Sequence, residues 1–353
     1  MIDLNQFDYY LPKNQIAQKP VTPRDHSRIF VYDTKKDTIV FDYFYHLDHY
    51  LPSDSFLVLN NTKVLPARVE MRKPVLRQDD GGQGGGKVMV LFLVNEIGKK
   101  GLIPVLVDRK VKAGEKLFFK NGEWVKVEKQ KGHIFTLRYH FNKEKLFEVL
   151  RRFGTMPVPL YLKNTSLQRD QLLKKYQTIF AKKQGSVAAP TASLHFTNRV
   201  FNKLEQKGIK KYFVTLHVGL GTFAPLTKEN LEKKTLHQEY FEISKSTWQT
   251  IENKRKLGKK LFAVGTTVVR TLESAAKTKR LFGQTDLFVF PPYRFLLIDG
   301  LISNFHLPKS SLMLLVEAFL QYKKARRHLV DLYNIAIKNN FRFYSFGDAM
   351  VIK

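Results

Sequence analysis

Four histidines carry the chemistry most easily read in this chain, because imidazole takes and gives protons near neutral pH. His195 lies in the run GSVAAPTASLHFT, residues 185–197, which has no Lys, Arg, Asp or Glu although 26% of the chain is charged. His217 precedes Gly219, Gly221 and Thr222 in HVGLGTF. Glycines there let a ligand approach the backbone. The third glycine of a dinucleotide fingerprint is missing, and Pro225 follows instead of a helix, so a tight turn is the competing reading. His237 and Glu239 stand two apart in TLHQEYFEI. On a strand they share one side of the sheet, either as a base with its partner or as two solvent-facing polar groups. No HExxH helix or second ligand pair accompanies them, so no metal site is expected. AVGTTVVRTLES, residues 263–274, reads as a strand running through Gly265 into a helix capped by Thr266 or Thr267. The free N–H groups of such a helix start suit a phosphate or a carboxylate. Arg270 and Glu273 lie three apart on one face of that helix and could form an ion pair. Asn304 and His306 join a strand end to a Ser-capped apolar helix in LISNFHLPKSSLMLLVEAF. Taken alone, His306 reads as a structural imidazole bonded to a turn.

The elements that must position these residues follow from periodicity and turn residues. SRIFVYD (27–33), TIVF (38–41) and SFLVL (55–59) read as strands. Five glycines within residues 81–86 mark a flexible connector, expected at a hairpin tip. From KVMVLFLV (87–94) to HIFTLRYHF (133–141) each segment reads as a strand, with a turn at Asn121-Gly122. NKEKLFEVLRRF (142–153) reads as a helix stopped by Gly154, and MPVPLYL (156–162) as an extended linker because its prolines forbid helix. Beyond residue 176 strand and helix alternate. Thr197 is placed to cap a helix closed by Gly208, and Ser246–Leu257 forms another with Gly258 behind it. DLFVF and RFLLID read as two strands about a PPY turn, and residues 310–338 as a final helix pair. The expectation is an α/β main domain, a mixed sheet with flanking helices, built from residues 1–68 and 154–353. Residues 69–153 form a small all-β barrel domain inserted in it.

Composition narrows the function. The 353 residues include no cysteine, which excludes disulfides, thiolate metal sites and a cysteine nucleophile. The first residues have no basic and then apolar signal pattern, and no apolar run approaches the ~20 residues that span a bilayer. A cytoplasmic protein is expected. Sixty Lys and Arg against thirty-one Asp and Glu give a net charge of +29. That field favours a polyanion such as nucleic acid, although a Lys-rich surface also occurs without one. The abundant aromatics, 28 Phe and 15 Tyr, could stack on unpaired bases, but most fall at core periodicity.

Seven blocks in one order end the anonymity: YQTIFA with GSVAAPTASLHFT, TLHVGLGTFAPL, LHQEYFEI, AVGTTVVRTLES, TDLFVFPPYRF, LISNFHLPKSSLMLLVEAF and FRFYSFGDAM. With FDYYLPKNQIAQKP, RDHSRIFVYD and FLVLNNTKVLPAR near the start, they resemble the S-adenosylmethionine:tRNA ribosyltransferase-isomerase family of queuosine biosynthesis. The match is loose only in the barrel. The resemblance implies an α/β domain with an inserted β-barrel. It also implies transfer of the ribosyl part of S-adenosylmethionine to the 7-aminomethyl-7-deazaguanine (preQ1) base at the wobble position of a tRNA. Epoxyqueuosine is the product; adenine and methionine leave. S-adenosylmethionine is then a consumed co-substrate, no cofactor is needed, and the partner is a tRNA anticodon stem-loop carrying preQ1, with no membrane involved.

The resemblance also suggests roles. His195, His217 and His237 become candidate acid/base groups, with Glu239 as partner. Small neutral residues at Ala188, Ala189, Ala192 and Ser193, with Pro190 and Thr191, would form one wall of the S-adenosylmethionine pocket. That wall must be tight and dry to keep water from trapping an intermediate. Gly265, Thr266 and Thr267 would take the methionine carboxylate, with Arg270 assisting. Gly219, Gly221, Thr222, Asn304, His306 and Asp348 are further substrate-binding candidates. The chain departs from the family pattern before His237, where Lys234 and Leu236 stand in place of His and Met. It also has Glu317 where Ser is common. A catalytically silent relative that only binds tRNA is therefore the alternative. A methyltransferase is disfavoured, since no Gly-rich loop follows the first strand with an acidic residue about 20 positions on.

Overall fold

The computed structural model describes residues 3–74, 86–97, 101–162, 164–219 and 226–353. The glycine connector at 81–86 lies almost wholly outside them, as do Gly221 and Thr222.

The main domain is built on a nine-stranded mixed sheet. Its strands are β1 (Arg28–Asp33), β2 (Thr38–Tyr43), β3 (Ser55–Asn60), β12 (Lys210–Leu216), β13 (Thr235–Glu242), β14 (Lys260–Val264), β15 (Phe282–Leu287), β16 (Gly300–Asn304) and β17 (Ala349–Ile352), in the order β15-β13-β12-β3-β14-β16-β17-β1-β2. β12, β3, β14 and β16 are mutually parallel at its centre. All six residues of β3 are buried, as a strand covered on both faces must be. Phe56 and Val58 enter one core with Ala263, and Leu57 and Leu59 enter the other with Val264. The first face is covered by α6 (Lys245–Lys256), α7 (Thr266–Thr278), α8 (Ser311–Tyr322) and α9 (Leu329–Lys338). The opposite face is covered by α1 (Leu47–Tyr50) and α4 (Asn198–Gln206). As expected, Thr197 caps α4 by accepting the Val200 N–H, and Gly208 beyond it takes φ +80°.

The barrel is closed and antiparallel, in the order β10-β7-β6-β5-β8-β9. Its strands are β5 (Arg68–Arg72), β6 (Lys87–Phe92), β7 (Leu102–Val107), β8 (Lys116–Phe118), β9 (Trp124–Lys131) and β10 (Ile134–Tyr139). Closure leaves no edge to pair with another chain. Its core is separate, built from side chains such as Val88, Val90, Phe92 and Leu137. α2 (Lys143–Phe153) follows, capped by Asn142 and ended at Gly154. The chain enters and leaves side by side: Arg68 and Thr155 exchange N–H···O bonds of 3.2 and 2.8 Å. A Cβ at Gly154 would lie 1.7 Å from the Pro66 carbonyl oxygen, so only glycine fits this crossing. The fold class expected from the sequence is the one observed.

Three segments differ from expectation. In DLFVF (286–290) only Asp286 and Leu287 lie in a strand, the end of β15. Residues 156–162 are extended only at first, then wind into a 3₁₀ turn at Leu160–Leu162. RFLLID (294–299) is not a strand. The backbone N–H groups of Leu296 and Leu297 donate to the buried Glu273 carboxylate at 3.0–3.1 Å, so a side chain replaces a ladder partner. The two-stranded sheet of β4 (Thr62–Val64) and β11 (Lys183–Ser186) completes the main chain. Among the described residues no helix is long and apolar enough to cross a membrane.

Candidate active site

The carboxyl ends of parallel strands are where open α/β sheets hold ligands. Here those ends carry Asn60, His217, Gly265 and Asn304, from four neighbouring strands. The charge-free run 185–197 lies across them. Ser186 ties it down: its hydroxyl donates to the Ala188 carbonyl (2.7 Å) and accepts the Val218 N–H (2.9 Å). Ala188, Ala192, Ser193 and His195 are all buried. A charge in this stretch would be stripped of water without a partner, which is the physical reason for its composition.

Ala189, Pro190, Thr191 and Ala192 line a narrow cleft, open to solvent, opposite Gly265, Thr266, Thr267, Asn304 and His306. Ser193 does not reach it; its buried hydroxyl has no hydrogen-bond partner among the described residues. Gly265 forms the N-cap of α7 at φ +91°, and no side chain caps the helix. This corrects the expected cap at Thr266 or Thr267. A left-handed residue is needed to turn from β14 into α7, and glycine takes that conformation without strain. Thr266 is the first helical residue, and the Thr267 hydroxyl is buried with no hydrogen-bond partner among the described residues. The first N–H groups of α7 therefore face the cleft without a side-chain acceptor.

His195 sits in a buried polar chain. Asn304 Oδ1 accepts from the Thr191 hydroxyl (2.8 Å), so its Nδ2 donates to His195 Nε2 (3.3 Å). Nε2 then lacks a proton, and Nδ1–H donates to the Ser27 hydroxyl (2.8 Å). Burial pushes His195 down to about 3. With both nitrogens engaged and the ring neutral, this side chain orients Asn304 and Thr191. His306 is also pushed down by burial to about 3, and its Nε2 meets the Ser303 hydroxyl at 2.8 Å. Asp348 is absent from the cleft wall: its carboxylate accepts the backbone N–H groups of Arg28 (3.0 Å) and Arg342 (2.8 Å) and the Arg342 guanidinium (2.9 Å).

A second cavity adjoins the first across Leu312. It is lined by His237, Glu239 and Arg270. Glu239 and Arg270 are buried and form an ion pair between β13 and α7. The Gly219 N–H donates to Glu239 at 2.8 Å, and Arg270 Nε donates to the Leu287 carbonyl at 3.1 Å. Arg270 thus pairs across the sheet and not with Glu273 on its own helix. His237 lies on the same side of β13 as Glu239, as expected, and is exposed.

His237 also borders a third space, a polar cleft between the barrel and the β12–β13 edge that holds His217. His217 Nδ1 is bonded to the Thr62 hydroxyl (2.8 Å), its ring stacks on Tyr240, and burial brings it down to about 4. Gly185 lies against the ring: a Cβ there would be 2.8 Å from Nε2. Sequence reasoning missed Ser27, Glu96 and Lys143. Ser27 and Thr62 lie within quoted blocks, RDHSRIFVYD and FLVLNNTKVLPAR, and that was their signal. The barrel residues had none.

A family model described as queuosine biosynthesis protein matches residues 4–352. The class is therefore that of the queuosine biosynthesis proteins. Relatives named S-adenosylmethionine:tRNA ribosyltransferase-isomerase include one from Halothermothrix orenii, 43% identical over 99% of both chains, and one from a Thermoanaerobacter species, 40% identical over 99% of both. A crystal structure of an S-adenosylmethionine tRNA ribosyltransferase from Thermotoga maritima is similar with a TM-score of 0.54 at 31% identity, covering 99% of this chain and 100% of that one. The chain belongs to the S-adenosylmethionine:tRNA ribosyltransferase-isomerase family, and it is an enzyme of the transferase and isomerase kind.

Proposed function

We propose that this enzyme transfers and isomerises the ribosyl moiety of S-adenosylmethionine onto the preQ1 base at the wobble position of a tRNA. The product is epoxyqueuosine, adenine and methionine leave, and the reaction takes place in the cytoplasm. S-adenosylmethionine is consumed, and no cofactor takes part. The observation that carries this reading is the row of three adjoining spaces at the carboxyl edge: a neutral cleft at the uncapped start of α7, the Glu239–Arg270 cavity, and a polar cleft beyond. A reaction that joins a small sulfonium nucleoside to a base in RNA needs two such seats with the reacting groups between them.

In this arrangement the α7 N–H groups and Thr266 take the methionine carboxylate, which favours the positive end of a helix. Ala189 and Pro190 allow a flat adenosine to lie close. A base removes a proton from the ribose C5′ beside the sulfonium, and an acid assists adenine to leave. His217 and His237 hold those roles, because they border the cleft where the acceptor would sit. His195 positions Asn304. The barrel, residues 69–153, acts as a separate unit closing the acceptor side.

Adenine release tests the reading. Protein, S-adenosylmethionine and a tRNA carrying preQ1 are mixed, and free adenine and methionine are followed by chromatography. Release that requires the modified tRNA is the expected result. Binding of tRNA without release would favour the silent relative and direct attention to Lys234 and Leu236. In the same assay Gly185→Ala is expected to displace the His217 ring and lower the rate at least about 10-fold, since misplacing a reacting group by about 1 Å is costly. An unchanged rate would remove His217 from the mechanism.

A further inference from the structure

We propose that the polar cleft between the barrel and the β12–β13 edge seats the acceptor nucleotide, and that Glu96 reads the hydrogen-bond donors of its splayed-out, guanine-like base. The inference rests on the transfer reaction proposed above and adds to it a seat and a residue.

The barrel places Glu96 there. The 3₁₀ turn Val94–Glu96 follows β6, closed by the Glu96 N–H to the Leu93 carbonyl at 2.9 Å. Its neighbour Asn95 packs on the chain just beyond His217, where a Cβ on Gly219 would lie 2.7 Å from Asn95 Nδ2. The barrel thus meets the main sheet at the residue whose N–H binds Glu239. Glu96, Lys143, Gln184, His217, His237 and Tyr240 all border the cleft, which has a volume of about 800 Å³. That is ample for a nucleotide still attached to a polymer.

The chemistry of the wall selects the ligand. An ionised carboxylate only accepts hydrogen bonds. A guanine-type base presents N1–H and an exocyclic amine on its pairing edge, and that edge is free only when the base has left its stack. The Tyr240 ring, stacked on His217 with planes 21° apart, offers a flat apolar surface for a base. Lys143 offers a cation for a phosphate. Among the described residues the one hydrogen bond to the Glu96 carboxylate is from the Asn95 amide at 3.4 Å. Desolvation raises its pKa, while the Asn95 amide and the nearby His237 ring favour the ionised form. A carboxylate facing a polyanion in a chain of net charge +29 is repulsive unless it meets donors.

The test is selectivity in binding, which does not need turnover. Affinities are measured by fluorescence for an anticodon stem-loop carrying preQ1 and for the same loop with adenosine at that position, using wild type, Glu96→Ala, Glu96→Gln and the barrel-surface control Glu70→Gln. Wild type is expected to prefer the preQ1 loop. Glu96→Ala is expected to weaken that loop about 10–100-fold and leave the adenosine loop within about 2-fold. Glu96→Gln, which retains one acceptor, should fall between, and Glu70→Gln should match wild type. With S-adenosylmethionine, KM for the tRNA should rise in Glu96→Ala while KM for S-adenosylmethionine does not. Equal weakening of both loops, or no change in either, overturns the assignment of Glu96. Normal adenine release by wild type alongside that result would leave the transfer reaction standing.

Discussion

Glu239→Ala is expected to destabilise the protein by about 3–5 kcal/mol, the range found when one partner of a buried ion pair is removed. Arg270 is 6% exposed, and among the described residues Nη2 of its guanidinium has no hydrogen-bond partner. Without the carboxylate its charge would stay buried, with the Leu287 carbonyl as its remaining acceptor among the described residues, and the Gly219 N–H would lose its acceptor. Both losses fall where β12, β13 and α7 meet, so the damage reaches the stretch after His217. Denaturant midpoints of Glu239→Ala, Arg270→Met and the double variant measure the coupling. The double variant should be less destabilised than the sum of the single changes, because no unpaired charge remains. Strict additivity would mean that the two groups do not interact, and the bridge between β13 and α7 would have to be abandoned.

Acid is expected to weaken the protein well before its carboxylates protonate. Burial brings His195 and His306 down to about 3 and His217 to about 4, against an ordinary histidine value of 6.5. Below pH ~6.5 the unfolded chain binds protons that these folded-state rings refuse. Their stabilisation is complete above pH ~6.5 and is lost as pH falls toward 3–4. By about pH 5 each ring should have lost roughly 2 kcal/mol, the linkage value for a proton taken up only by the unfolded state. His328 has the opposite sign. Glu317 raises its pKa, so its contribution is present below 6.5 and fades as pH rises past its folded value; it is largely exposed and adds little. Melting temperatures at about pH 7.5 and about pH 5 test this, with His306→Asn as the comparison. The variant should show a shallower acid slope. Equal melting at the two pH values would mean that the three rings titrate in the folded protein as they do in water.

Much of the architecture was legible because local rules were strong. The short apolar runs within Arg28–Asp33 and Ser55–Asn60, the stop at Gly154 and the cap at Thr197 depend on near neighbours in sequence, and all held. The failure at residues 294–299 has a tertiary cause. RFLLID has the composition of a strand, but its backbone donors meet a carboxylate from α7, more than twenty residues away. Glu317, the departure from the family pattern, likewise has a tertiary use: it accepts the Leu329 N–H at 2.8 Å and pairs with His328 at the start of α9.

By itself the sequence determined the two kinds of core, the order of strands and helices, the family, and the set of polar residues after strands from which a site had to be drawn. Periodicity, capping and ordered motifs are properties of neighbouring residues, and they survive without coordinates. Which polar residues act together was decided only by the tertiary structure. Four histidines were equivalent as letters. Folding committed both nitrogens of His195, sealed His306, and left His217 and His237 beside a cleft completed by the barrel. Glu239 found its charge partner on α7, 31 residues away, and Asp348 was drawn into bonds with Arg28 and Arg342. Burial and hydrogen bonding depend on distance in space, and those distances are set by how the sheet and the barrel pack.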